Sequence, residues 1–107
     1  MTYDLRFFPE VEEDVVSNYA WYEEKAEGLG NEFLRVFYAS TAAILRNPLL
    51  SSKVHGEFRR RLLQRFPFAI YFTVQRDEII VFGLFHCARD PRTVTPKLNE
   101  RSERDML

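Results

Sequence analysis

The residues of this chain that could do chemistry are concentrated in its second half. Four arginines, Arg59, Arg60, Arg61 and Arg65, fall within seven residues, and the chain then becomes apolar and aromatic up to Phe72. A guanidinium presents paired N–H donors that match the oxygens of carboxylates and phosphates, so the cluster predicts an anion-binding surface. Three interpretations follow: a nucleic-acid patch, a catalytic cluster, or a sheet face that binds a protein partner.

The spacing of the arginines predicts how they are distributed over a sheet. If residues 58–65 form one strand, alternation places Arg59, Arg61 and Arg65 on one face and Arg60 on the other. At least three guanidinium groups would then point the same way. The alternative is a solvated sheet face whose arginines form ion pairs with glutamates.

A second group of reactive side chains follows the last predicted strand, at His86, Cys87 and Arg89. Histidine can act as an acid or a base near neutral pH, although a lone histidine at a strand end is more often a structural group. The spacing of His55 and His86 matches no pattern of metal ligands, and no metal or cofactor is expected.

Composition places this chain among small globular proteins. It has 107 residues, of which 46% are hydrophobic and 29% charged, and this favours one folded domain. The single cysteine excludes an internal disulfide, and neither a signal peptide nor a membrane span is evident, so a cytoplasmic protein is expected. Residues 1–50 carry nine acidic and four basic side chains, whereas residues 51–107 carry seven and eleven. This asymmetry favours an anionic partner for the second half.

The pattern of elements predicts an α+β fold. An N-terminal strand over residues 3–8 precedes two amphipathic helices, which begin at Pro9 and near Asn31 and form an antiparallel hairpin. A loop over 51–56 leads to a three-stranded antiparallel meander at 58–65, 68–75 and 78–86. The helices should cover one face of a small sheet, leaving the other face uncovered. The ring of Trp21 is expected to pack between the helices. Residues 1–91 form the predicted domain, and residues 92–107 are either a short helix or a mobile tail.

Several motifs in a fixed order resemble one family. They are Trp21-Tyr22, Gly28-Leu29-Gly30 followed by Phe33, Pro48, Arg60-Arg61-Leu62, Arg65-Phe66-Pro67-Phe68 with Tyr71, and His86 to Pro91. Together they resemble the ParE/RelE superfamily, the toxins of bacterial type II toxin–antitoxin pairs, also called plasmid stabilisation proteins. The similarity is closest to the ParE-like branch and spans residues 3–91.

The resemblance implies a sheet flanked by a helical hairpin and a cognate antitoxin that wraps around it. For the ParE-like branch it implies inhibition of DNA gyrase by binding, with no catalysis by the toxin itself. The residues expected to contact the target or the antitoxin are Arg59, Arg61, Arg65, Tyr71 and Arg89.

The RelE-like branch supplies a second hypothesis, a ribosome-dependent and metal-independent endoribonuclease that cleaves messenger RNA. Its candidate catalytic residues here are Arg59, Arg61, His86 and Arg89. The set looks incomplete, because Phe68-Ala69-Ile70 stands where that branch has a basic residue and no tyrosine follows Tyr71. A third hypothesis is a non-toxic interaction module of the same fold. Direct sequence-specific recognition of nucleic acid is not expected of a chain with a net charge of −1.

Overall fold

The computed structural model describes residues 2–107, which form three helices and one five-stranded sheet. Their order along the chain is β1 (Asp4–Phe7), α1 (Pro9–Lys25), α2 (Leu29–Arg46), a 3-10 turn (Pro48–Leu50), β2 (Lys53–His55), β3 (Phe58–Leu62), β4 (Phe68–Gln75), β5 (Glu78–His86) and α3 (Pro91–Asp105). The predicted α+β fold is confirmed, including the helical hairpin between the first strand and the meander.

The sheet is mixed, because the first strand pairs with the last. Its strand order is β1-β5-β4-β3-β2, with β1 parallel to β5 and every other pair antiparallel. Both β4 and β5 lie inside the sheet, and β5 is buried from Ile79 to Phe85. Such apolar runs are expected of central strands that are covered on both faces.

Two predictions for the edge of the sheet are wrong. The segment predicted as a loop contains the short strand β2, which pairs with β3. The strand predicted to run to Arg65 ends at Leu62, because the chain turns there and buries Leu63 and Phe66 in the core. Arg65 itself has a φ of 70°, a left-handed conformation that breaks the strand alternation. Arg59 and Arg61 therefore share a face by strand alternation, as predicted, whereas Arg65 lies beyond the strand.

The helical hairpin forms for the reasons that the sequence suggests. Pro9 occupies the first turn of α1, where its missing N–H costs no hydrogen bond, and Glu10 and Glu12 complement the helix dipole. Gly28, with a φ of 86°, separates the two helices. At Gly30 the helices approach closely, since a Cβ atom there would lie 2.7 Å from the carbonyl oxygen of Tyr19.

An aromatic cluster joins the hairpin to the sheet. The ring of Tyr22 stacks on Phe33 at 5.4 Å between centroids and meets Phe66 edge-on at 4.9 Å. Phe33 also contacts Phe68 at the start of β4. The expectation that Trp21 packs between the helices is wrong: it is 53% exposed and lies beside Lys25. The adjacent Tyr22 points inward instead, because successive residues of a helix are about 100° apart.

The two faces of the sheet can be assigned from its register. The hairpin face carries Phe68, Ile70 and Phe72 of β4 and meets α1 and α2. The opposite face, here called the α3 face, carries Tyr71 of β4 together with Phe82 and Phe85 of β5.

A β-bulge sets the direction of the β5 side chains. The register shifts between Tyr71 and Phe72, which pair with Gly83 and Val81, so Phe82 is an extra residue. Without the bulge, Phe82 and Phe85 would point to opposite faces. With it, Phe82 contacts Phe58 and Phe85 contacts Tyr71, all on the α3 face.

The expectation that the second face is uncovered is wrong, because α3 lies on it. Asp90 caps this helix by accepting a hydrogen bond from the N–H of Arg92 at 2.9 Å. Val94 and Leu98 are buried against the sheet, and Leu98 lies where a Cβ atom on Gly83 would be in contact. The polar composition of residues 91–105 hid this helix, since only one side of it contributes apolar groups.

Polar groups complete the attachment of α3. Arg101 is buried, donates a hydrogen bond from Nη1 to the carbonyl oxygen of Phe82 at 2.8 Å, and lies over the ring of Phe85. Arg104 pairs with Glu10 of α1 and holds the pKa of that carboxyl below its usual range. At the end of the helix, Asp105 lies 2.8 Å from Nη1 of Arg6.

Candidate functional site

Two surface depressions, one on each side of the sheet, contain all but Arg59 of the candidate site residues that the sequence singled out. On the hairpin side, Arg61 of β3 faces helix α2. On the other side, Arg60 and Tyr71 face helix α3. The two depressions are separated by the sheet itself, because Arg60 pairs with Tyr71 in the β3–β4 register while Arg61 pairs with Ile70.

The first depression, here called the α2–β3 groove, has a volume of about 240 Å³. It is lined by Arg35, Val36, Ala39, Ser40, Ala43 and Arg46 of α2, and by Arg61, Gln64 and Arg65 from β3 and the turn after it. Small side chains form its floor on the helix, and four guanidinium groups surround it. This arrangement concentrates positive charge over a partly apolar surface.

Two arginines of the groove share one internal carboxylate. Glu32, in the first turn of α2, accepts a hydrogen bond from Nε of Arg35 at 3.0 Å and forms an ion pair with Arg65. The hydrogen bond from Arg35 is the main reason why the pKa of Glu32 lies below its usual range. Both arginines are more than half exposed, so these pairs contribute little to stability and can rearrange.

The other two arginines, Arg46 and Arg61, have no ion-pair partner among residues 2–107. The Nε atom of Arg61 is buried and has no hydrogen-bond acceptor within the described part of the chain. A buried donor without an acceptor costs free energy, and a turn of the side chain toward an anion bound in the groove would relieve that cost. Arg59, on the same face, instead donates from Nη1 to the carbonyl oxygen of Ser51 at 2.6 Å, which anchors the preceding loop.

The second depression, here called the α3-face cavity, has a volume of about 230 Å³. It is lined by Val54, His55, Arg60, Ala69, Tyr71, His86, Cys87, Arg89, Pro91, Val94, Thr95 and Leu98. It therefore combines two guanidiniums, a phenol and two imidazoles at the junction of the sheet with α3. These groups include possible acids, bases and anion-binding side chains.

Two contacts orient side chains of this cavity. The guanidinium of Arg89 lies 5.5 Å from the ring centroid of Phe85, a cation–π geometry that holds it against the sheet. Nδ1 of His86 accepts a hydrogen bond from the N–H of Ala88 at 3.0 Å. The proton of the neutral imidazole is therefore on Nε2.

The residues predicted from the sequence are thus divided between the two faces. Arg61 and Arg65 line the α2–β3 groove, whereas Tyr71 and Arg89 line the α3-face cavity. The candidate ribonuclease set is divided in the same way, because Arg59 and Arg61 lie across the sheet from Arg89. The roles of all these residues stay predictions.

Sequence reasoning missed two arginines that line the groove, Arg35 and Arg46, and it named Arg60 in the cluster without assigning it to a site. A signal for the first two exists in the sequence. Arg35 and Arg46 are separated by about three helical turns, so they lie on the same side of α2. Their approach to β3 depends on tertiary packing, which a helical period alone does not reveal.

No helix within residues 2–107 combines the length and the apolar character that a membrane span requires. Within the same range, no three His, Cys, Asp or Glu side chains come together in a group that could hold a metal ion.

The helical hairpin on a small sheet is a ParE-like fold, which the motifs in the sequence predicted. A solved structure of the "Chromosomal ParDE TA system from P. aeruginosa" contains a chain that superposes on this one with a TM-score of 0.69. The superposition covers 79% of this chain and 96% of that chain, at 16% sequence identity. No protein-family model matches the sequence, and no curated protein matches it. The likeness is therefore one of fold.

Proposed function

We propose that this chain is the toxin component of a type II toxin–antitoxin module and is neutralised by a cognate antitoxin. The observation that carries the proposal is the ParE-like fold, which matches nearly all of a chain from a solved toxin–antitoxin system. The basic α2–β3 groove adds support, because it offers an acidic partner a concentrated positive surface. Fold by itself does not fix an activity or a cellular target.

The cellular target that we favour is DNA gyrase, inhibited by binding. This choice is supported by the distribution of the arginines over two faces of the sheet. Such a distribution suits a protein that contacts partners, whereas a nuclease needs its catalytic groups together at one scissile bond. Arg59 anchors a loop, Arg61 faces α2, and Arg89 lies across the sheet. A binding inhibitor needs only an exposed complementary surface.

The alternative target is messenger RNA on the ribosome, and the α3-face cavity favours it. Arg60 and Arg89 there could stabilise the negative charge that develops on a phosphate during attack by a ribose 2′-hydroxyl. Tyr71 and His86 are the groups available to take the hydroxyl proton and to protonate the leaving 5′-oxygen. Transfer of that one proton would leave a cyclic phosphate and a free 5′-hydroxyl.

Induced expression with and without the product of the adjacent reading frame tests the toxin proposal. Growth arrest that co-expression reverses is the expected result, and growth unaffected by the chain alone would leave only the non-toxic interaction module. The purified protein should then block supercoiling by gyrase or trap cleaved DNA. If supercoiling is unaffected at excess protein while transcripts are cut during translation, the ribonuclease alternative replaces gyrase inhibition.

A matched pair of variants separates the two targets further. Tyr71→Phe and His86→Gln remove the acid–base groups of the α3-face cavity with little change in side-chain volume. A binding inhibitor should retain its toxicity in His86→Gln, and in Tyr71→Phe, at a residue predicted to contact the target or the antitoxin, it should lose no more than the contribution of one hydroxyl hydrogen bond. A ribonuclease should lose about a hundredfold or more of its cleavage rate in at least one, the usual scale of general acid–base catalysis.

A further inference from the structure

Two of the arginines that line the α2–β3 groove already bind a carboxylate of the same chain, that of Glu32. Glu32 shows how a carboxylate is received at one end, between Arg35 and Arg65. Arg46 and Arg61 also line the groove, and their guanidinium groups have no acidic partner within residues 2–107. The Nε–H group of Arg61 is also buried, and it has no hydrogen-bond acceptor within the described chain.

We propose that the α2–β3 groove binds an extended acidic peptide segment, with one carboxylate of that segment received by Arg46 and Arg61. The inference rests on the proposed function in one respect, because it assigns this segment to the antitoxin. The bound carboxylate pairs with the charges of Arg46 and Arg61, and a turn of the Arg61 side chain brings its Nε–H group, which has no acceptor in the described chain, to that carboxylate. Ion pairs of this kind, shielded from solvent by the bound chain, are stronger than pairs on an open surface.

The lining of the groove favours a peptide over a nucleic acid. Its floor consists of Val36, Ala39 and Ala43, which suit small apolar side chains between acidic ones. None of its lining residues is aromatic, although proteins that bind single strands stack the bases on aromatic rings. The groove has a volume of about 240 Å³ between a helix and a strand, which accommodates a few side chains of a peptide.

The two arginines without an acidic partner in the described chain, Arg46 and Arg61, also determine where the bound segment carries its acidic residue. Glu32 already occupies the Arg35–Arg65 end, so a second carboxylate bound there would meet like charge. The segment therefore carries its acidic residue over Arg46 and Arg61 and a small or apolar residue over Ala39. Alternating acidic and small residues in extended conformation meet both conditions.

The test uses the full-length protein and a short acetylated peptide of alternating glutamate and alanine. A glutamine–alanine peptide of the same length controls for charge, and an oligothymidylate of equal formal charge represents nucleic acid. Binding is followed by the NMR signals of the arginine Nε–H groups and by calorimetry. The expected result is that the glutamate peptide binds, shifts the Arg61 signal, and binds more tightly than either control.

Substitutions localise the binding. Arg61→Gln and Arg46→Gln should each weaken binding of the glutamate peptide by about tenfold or more, which corresponds to the loss of one charge-assisted hydrogen bond. Arg60→Gln is the matched control, because it makes the same change of charge one residue away on the opposite face. Arg46 is exposed on a helix, so its variant keeps the test decisive even if Arg61→Gln unfolds.

Three results would overturn the inference: equal binding of the glutamine peptide, an equal loss in Arg60→Gln, or tighter binding of oligothymidylate that the groove variants abolish. The last would assign the groove to nucleic acid.

If the peptide fails to bind while the adjacent gene product still rescues growth, the groove inference is wrong and the toxin proposal stands. If the peptide binds as expected but expression never arrests growth, the groove is confirmed and the toxin proposal fails.

Discussion

Arg60 and Arg61 are adjacent in the sequence and lie on opposite faces of the sheet. Arg60 is opposite Tyr71 and lines the α3-face cavity, whereas Arg61 is opposite Ile70 and lines the α2–β3 groove. Side chains of a strand alternate, so a run of three arginines necessarily supplies both faces with positive charge. Substitution of either residue removes one charge, and only the face differs between the two variants.

The first prediction compares substitutions of Arg61 and Arg60 by their effect on binding of the antitoxin. Arg61→Ala should weaken binding of the antitoxin by about tenfold or more, because a charge-assisted contact is lost, while the denaturant midpoint stays close to that of the parent protein. Arg60→Ala should leave antitoxin affinity nearly unchanged. Calorimetric titration with the adjacent gene product measures both. An unfolded Arg61→Ala protein would show that this arginine is mainly structural.

The second prediction concerns Trp21 and Tyr22. Tyr22→Ala should lower the free energy of unfolding by about 3 kcal/mol, because its ring packs on Phe33 and Phe66. Burial of that ring also raises the pKa of its hydroxyl. Trp21→Ala should cost less than about 1 kcal/mol, since that side chain is half exposed. Urea denaturation of both variants gives the comparison, and a larger loss for Trp21→Ala would contradict the observed orientation of α1.

The third prediction concerns the close approach of the helices at Gly30. Alanine is intrinsically the better helix former by about 1 kcal/mol. Gly30→Ala should nevertheless destabilise the protein by about 1–3 kcal/mol, because the added Cβ would lie 2.7 Å from a backbone oxygen of α1. The reverse change at an exposed position of α2, Ala42→Gly, should also be destabilising. Thermal denaturation that showed a stabilised Gly30→Ala protein would refute the close contact.

The fourth prediction concerns the docking of α3. Leu98→Ala should cost about 2–5 kcal/mol, because Leu98 is buried between the helix and β5. The amides of residues 94–104 should then exchange with solvent faster, as the helix loses its main apolar anchor. Lys97→Ala, an exposed neighbour, is the control and should change neither quantity appreciably. Hydrogen exchange that is unchanged in Leu98→Ala would indicate that the ionic contacts alone hold α3.

The fifth prediction is a pH dependence at Asp14 of α1. Burial raises the pKa of this carboxyl above its usual value, and the positive charge of Arg101 only partly offsets the effect. The folded state therefore binds the proton more readily than the unfolded state, and the charged carboxylate destabilises the fold above its folded pKa. Lowering the pH through that pKa relieves the penalty.

Asp14→Asn should accordingly stabilise the protein at neutral pH, and the difference from the parent protein should shrink as the solution is acidified. Denaturation across this pH range measures it. Glu13→Gln makes the same change of charge at an exposed position and should alter stability little. A variant Asp14→Asn less stable than the parent protein at neutral pH would mean that the attraction to Arg101 outweighs desolvation.

Local patterns in the sequence were sufficient for most of the elements. The 3.6-residue period, the proline of the first helical turn and the glycines between the helices predicted the hairpin, and apolar runs predicted β4 and β5. These signals depend on neighbours within a few positions. The motifs that resemble ParE-like toxins likewise predicted the fold that the superposition confirms.

The sequence by itself determined the hairpin, the central strands and the presence of an arginine cluster. Tertiary structure decided which arginines share a surface, because that depends on where β3 ends and on the turn that places Arg65 beside Glu32 of α2. It also decided that α3 covers the second face, since two apolar side chains and a buried arginine are too few to produce a clear period. Contacts between residues far apart in the chain leave no local signature, and both candidate surfaces consist of such contacts.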